Sequence, residues 1–151
     1  MPRVDPSALP TYNGAGAAAP FGGPLGDYIG RAVSAAHGLS LLGVNIETLR
    51  PGAASSHRHW HDKNEELVIV IEGTLMLVDD QGATALGLGD VAVFPANDGN
   101  GHCLENRSSE DASFVVVGTR VECDICHYAD IDLIAHPDGT LTRRDGSTAT
   151  P

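Results

Sequence analysis

From Ile29 to about Thr119 the chain is written in short apolar runs, each broken by a turn signal before it can grow long. LSLLGVNIETL ends at Pro51-Gly52, ELVIVIEG at Gly73, TLMLVDD at Gln81-Gly82, ATALGLGD at Gly89-Asp90, and VAVFP, HCLEN and ASFVVVG follow. Runs of this length, rich in Val, Ile, Leu and Phe and bounded by Gly, Pro, Asn and Asp, read as strands. Seven or eight of them at regular intervals, with no helical stretch between, predict an antiparallel sandwich or barrel rather than a parallel sheet with crossover helices. RAVSAAHG is the one stretch that reads as a short helix, and it reads equally as a strand before a turn.

The flanks differ from this centre. Residues 1–27 are dominated by Pro, Gly and Ala, with Leu9, Tyr12, Phe21 and Leu25 as the main apolar anchors, so they read as an extended arm. Residues 28–120 form the barrel. Residues 121–151 are acidic and turn-rich and read as an extension packed on the barrel, ending in an exposed tail. With 151 residues the chain has room for about one domain.

Charge and cysteine content narrow the partners. Twenty acidic residues against nine basic ones give a formal charge of -11, the wrong sign for a phosphate backbone or an anionic lipid surface. The expectation is therefore no nucleic acid and no membrane. The densest apolar run, Leu67 to Ile71, is far shorter than the ~20 residues of a spanning helix. No signal peptide is legible, and three cysteines, an odd number, read as reduced thiols in a cytoplasmic protein. Outward-facing Leu67, Ile69 and Ile71, together with the arm's anchors, predict a homodimer.

The chemistry is concentrated in the histidines. In a strand, His57, His59 and His61 of SSHRHWH project to one face, and Arg58 and Trp60 to the other. Glu66 opens the next apolar run and His102 opens HCLEN. Imidazoles and a carboxylate on neighbouring strands can converge on a divalent metal; a solvated strand edge would show the same three histidines. CDICH, from Cys123 to His127, matches the haem-attachment spacing, but one C-x-x-C offers too few thiolates for a closed zinc site. It reads as two reduced cysteines binding neither haem nor metal.

The spacing of these residues resembles the cupin superfamily. Gly52, His59-Trp60-His61, Glu66 and Gly73 follow the first motif, with six residues instead of five between Gly52 and His59. Gly89, Pro95, His102 and Asn106 follow the second, with a loop longer by two residues and Asn97 where Gly is expected. The runs RHWH, VIEG and GDVAVFP, together with YADIDL, are similar to small single-domain bacterial cupins, a group that includes proteins labelled sugar-phosphate isomerase. The resemblance implies an all-β double-stranded β-helix, a jelly-roll barrel, with the extended arm. It also implies one divalent transition metal (Fe, Mn, Ni, Co or Zn) on His59, His61, Glu66 and His102. His57 is a candidate acid or base, or a histidine of the cavity mouth. Three His and one Glu with open positions suit an Fe(II) oxygenase-type reaction on a small organic substrate. A metal-dependent isomerase, epimerase or lyase, or a binding protein without turnover, fits the same residues.

Overall fold

The computed structural model describes residues 3–13, 18 and 20–151; the remainder of the arm's Gly/Ala-rich stretch, on which the extended reading partly rests, lies outside the described residues. Its regular structure is nearly all strand. A six-stranded antiparallel sheet has the order β1-β2-β3-β10-β5-β8, with β1 Thr11–Tyr12, β2 Tyr28–Ala32, β3 Leu42–Leu49, β5 Glu66–Glu72, β8 Val91–Phe94 and β10 Ala112–Thr119. Facing it are two smaller sheets. One is β7-β6-β9, from Gly82–Leu86, Leu75–Asp79 and Cys103–Glu105. The other is β13-β12-β11-β4, from Leu141–Thr142, Leu133–Ala135, Cys126–Tyr128 and His59–His61. A bridge between His59 and His102 joins the two into one face.

Strand alternation builds the core. Val68 and Val70 of β5 point inward and are buried, as are Leu49, Leu75, Leu104 and Phe114 from both faces. Leu67, Ile69 and Ile71 alternate outward, and Ile71 is exposed along with Val91 and Val93 of the edge strand β8. RAVSAAHG divides between the two readings: β2 runs to Ala32, and a one-turn α-helix, α1, Val33–Ala36, follows and packs on β3.

A second cluster unites the two flanks. Ala18 and Phe21 of the arm are buried with Leu133 and Ala149 of the extension. At the end of the chain residues 144–148, 150 and 151 are exposed while Ala149 is buried, and Thr148 bridges back to Thr142. The extension does more than lie on the barrel, because β11 pairs directly with β4 in the register Cys126 to His61 and Tyr128 to His59.

Two positions show how the second motif works locally. Asn97 stands at φ 56°, the left-handed region that Gly enters freely and Asn tolerates better than most residues. The substitution at the expected Gly therefore keeps the turn, and the Asn97 amide donates to the His61 carbonyl at 2.7 Å. Asn106 is fully buried. Its Nδ2 donates to the Leu49 and Glu110 carbonyls at 2.8 and 2.7 Å, and its Oδ1 accepts from the Ser108 amide and hydroxyl. Its own backbone amide and carbonyl bond to Ala53 and Gly52. Asn106→Ala removes two side-chain donors and the Oδ1 acceptor from this turn, one of the bonds fully buried, and the expected outcome is a loss of about 3 kcal/mol, read as a fall of roughly 10 °C in Tm by calorimetry.

Candidate functional site

His59 and His61 are carried on β4, Glu66 at the start of β5, and His102 immediately before β9. The backbone amides and carbonyls of His59 and His102 exchange hydrogen bonds at 3.1 and 3.0 Å, which holds the two rings with centroids 5.1 Å apart. The ligand atoms of His59, Glu66 and His102 lie within 4.8 Å of one another. His61 is beside His59, ring centroids 5.2 Å apart, but among the described residues its tight group is with His59 and Cys126.

Each of the three rings is tied through Nδ1 to an oxygen. His59 Nδ1 donates to the His57 carbonyl at 3.0 Å, with the Ser56 hydroxyl at 3.1 Å; His61 Nδ1 donates to Asp124 Oδ2 at 2.6 Å; His102 Nδ1 faces the Asn100 carbonyl at 3.3 Å. An imidazole whose Nδ1 carries the proton keeps its lone pair on Nε2. This is the arrangement in which oxygens behind the rings orient metal-ligating histidines. His102 Nε2 lies 3.7 Å from Glu66 Oε2, and its ring stacks on Phe94 with centroids 3.6 Å apart.

Electrostatics favour a neutral His59 and an anionic Glu66. Burial, reinforced by His102, pushes His59 down to about 4. Burial alone would raise Glu66, but His102, His61 and His59 hold it below the ordinary carboxylate range. Cys126, which sequence reading expected to bind no metal, stands with His59 and His61 as an alternative donor. Burial pushes its thiol up to about 12, and the Tyr128 hydroxyl is hydrogen-bonded to it, so it faces the histidines as a neutral thiol, a weak ligand beside a carboxylate.

The other residues of interest are set apart from this group. The His57 ring packs under the arm, where a Cβ on Gly22 would come within 2.7 Å of it, and its buried Nε2 has no hydrogen-bond partner among the described residues. It does not line the cavity. Arg58 faces outward to Asp80 and Asp130, and Trp60 stacks on His127 at 4.0 Å. His127 Nε2 is bonded to Asp62, Cys123 to Lys63, so these two residues of the C-x-x-C-H unit have separate surface partners, while Cys126 faces the histidines.

In front of His59, Glu66 and His102 lies a cavity of about 260 Å³. Val68, Phe94, Leu104, Phe114 and Val116 form its apolar part, and among the described residues it has no Lys or Arg in its lining. Its polar wall is β3, which contributes Asn45 and Glu47. Glu47 Oε1 accepts a hydrogen bond from the Tyr12 hydroxyl at 2.8 Å. Burial raises its carboxyl from 4.5 to about 7, with Glu66 adding to the rise and the Tyr12 bond opposing it. Sequence reading missed Glu47, although GVNIETL carries its signal: polar Asn45 and Glu47 alternate with apolar Val44 and Ile46, and the polar side faces in.

Between the ordinary and the raised value the folded protein holds a proton on Glu47 that the unfolded chain has released, so this group's contribution to stability is lost as pH rises from about 4.5 to about 7. In chelator-treated protein, wild type is expected to lose denaturant resistance relative to Glu47→Gln across that interval and to hold a constant difference above it. Guanidinium midpoints at four pH values check this.

The comparisons agree with the geometry. The cupin domain family matches residues 45–118, and no curated protein matches the chain in sequence. The structure is similar to that of a sugar phosphate isomerase from a cupin superfamily of Silicibacter pomeroyi, 40% identical, with 99% of this chain and 97% of that one covered and a TM-score of 0.86. A protein of Acidithiobacillus ferrooxidans that carries the provisional name sugar phosphate isomerase is 22% identical over 82% of this chain and 81% of its own, TM-score 0.75. The polyketide cyclase RemF of Streptomyces resistomycificus is 21% identical over 79% of each chain, TM-score 0.63. With both motifs seated on an antiparallel jelly roll and a relative this similar over nearly its whole length, the chain belongs to the cupin superfamily.

Proposed function

We propose that the protein is a metal-dependent enzyme that moves protons within a small α-hydroxycarbonyl compound, an isomerase-type reaction. The observation that carries this reading is the set of three imidazoles tied through Nδ1 to oxygens, two of which, His59 and His102, line a small cavity together with Glu66. His59, His61, Glu66 and His102 would hold the ion, and Asp124 and the carbonyls of His57 and Asn100 fix their rings. A divalent ion held there supplies positive charge for oxygens of the substrate, stabilising the enolate-like state left by proton removal.

Fold alone does not choose a reaction. The Silicibacter relative's name favours isomerisation over the oxygenase-type reaction that the ligand set also suits. The cavity departs from that name in one respect. Without Lys or Arg in its described lining, it offers no cation for a phosphate; Arg50, the basic residue nearest the first motif's Gly, pairs with Asp111 instead. The proposed substrate is accordingly uncharged or carries its charge outside the cavity. His57 has no place in the proposed proton transfer.

Elemental analysis tests the ligands. Wild type, His57→Ala and the Cys123→Ser/Cys126→Ser double variant are expected to hold about one metal per chain, and His61→Ala to lose most of it. Dihydroxyacetone in D2O, followed by proton NMR, tests the reaction: carbon-bound hydrogen should exchange without oxygen uptake at an electrode. Oxygen consumption with the same probe would replace this reading with the oxygenase one.

We also propose a homodimer, formed through the exposed apolar side chains of the six-stranded sheet, where Leu42, Ile71, Val91 and Val93 are 42–66% exposed. Clusters of that kind on soluble proteins mark interfaces. Light scattering at micromolar concentration should give twice the chain mass, and Val93→Glu should give the monomer.

A further inference from the structure

Three neighbouring strands place Tyr12, Gly30 and Glu47 in one row. Tyr12 of β1 is opposite Gly30 of β2, and Gly30 is opposite Glu47 of β3. A side chain in the middle would stand between the outer two. Gly30 leaves that space to the Tyr12 ring: a Cβ built there would lie 2.1 Å from Tyr12 Cζ and under 2.7 Å from both Cε atoms. The ring crosses the gap and its hydroxyl reaches Glu47 Oε1 at 2.8 Å. Tyr12 also packs edge-on against Tyr28, centroids 6.5 Å apart. One oxygen of the carboxyl is thus anchored, and the side chain faces the cavity that His59, Glu66 and His102 close.

A carboxyl is an expensive group to place in such an interior, and packing alone would be served as well by an amide or an apolar side chain. Its value here is that it can carry a proton. We infer that Glu47 is a catalytic carboxyl of this cavity, taking a proton from substrate carbon and returning it, and that Tyr12, reaching across Gly30, is its positioning residue. The inference rests on the proton-transfer reading above.

With an α-hydroxy ketone the step balances within the substrate. The C–H bond beside the carbonyl breaks and an O–H bond forms on Glu47. The electron pair passes into the new C–C double bond, and the carbonyl pair onto its oxygen, giving an enediolate. Return of the proton to the same carbon is exchange; return to the neighbouring carbon, with the hydroxyl proton passing between the two oxygens, is isomerisation. The titratable groups facing Glu47 are Tyr12 from β1, Tyr28 from β2 and Glu66 from β5, with His59 and His102 across the cavity. A carboxyl raised into the neutral range has both protonation states available for such a cycle.

The test uses Mn(II)-loaded protein, dihydroxyacetone in D2O, proton NMR and elemental analysis. Glu47→Gln is expected to keep its metal and lose exchange by about 100-fold or more. Tyr12→Phe removes the hydrogen bond that lowers the Glu47 pKa, so the ascending limb of the pH–rate profile should move to higher pH. Gly30→Ala, whose new methyl displaces the ring, should reproduce that shift with every polar group still present. Glu47→Asp should restore part of the exchange lost in Glu47→Gln. Exchange at the wild-type rate in Glu47→Gln, or a loss that only tracks lost metal, overturns the role of Glu47 and leaves the reading of the site intact. No exchange by metal-loaded wild type overturns both. An unmoved pH profile in both Tyr12→Phe and Gly30→Ala overturns the role of Tyr12.

Discussion

One carboxylate, that of Asp124, organises the strand on which the site is built. Its Oδ2 accepts from His61 Nδ1 and Asn64 Nδ2, and its Oδ1 accepts from the backbone amides of Lys63 and Asn64. Four donors on one acceptor pair fix the turn that leads from β4 into β5, and with it the spacing from His61 to Glu66. β4 is only three residues long and has no sequential hairpin partner; its ladder is with β11, which begins two residues after Asp124. The half of the second face that presents His59 and His61 therefore depends on residues 124–128. Hydrogen bonds accepted by a charged carboxylate are shorter and stronger than neutral ones.

This dependence explains what was legible in the sequence. The barrel strands were, because their runs alternate and end at turn residues. The group of His59, Glu66 and His102 was, because the motif spacing survives a six-residue gap after Gly52 and a longer loop at Asn97, both absorbed in turns. Asp124 was not, since its partners lie 60–63 residues away and no local pattern marks it. Cys123, Cys126 and His127 drew notice as a C-x-x-C-H unit, although strand pairing sends them to different neighbours.

Glu47 was illegible for a different reason. The usual rule puts apolar residues inside and polar ones outside a half-buried strand. On β3 the rule is reversed where the barrel wall becomes the cavity wall: Asn45 and Glu47 face in, while α1 packs on the strand that carries Val44 and Ile46. The same strand returns to ordinary patterning at Leu49, which is fully buried in the core. Such local inversions are expected where a polar interior serves chemistry rather than stability.

The clamp at Asn106 bears on how the barrel comes together in time. Its side chain joins a carbonyl 57 positions earlier in the chain, and its backbone closes on Gly52 and Ala53. Closing so long a loop is entropically slow, and folds dominated by such pairings reach the native state later than those built from local ones. The segment carrying His59 and His61 begins just after one side of this closure, and His102 stands just before the other. The donors therefore converge only when the loop shuts, and a chain halted before that stage has histidines on separate, unregistered strands. The contacts that close the barrel at Asn106 are thus the ones that bring the two donor segments side by side.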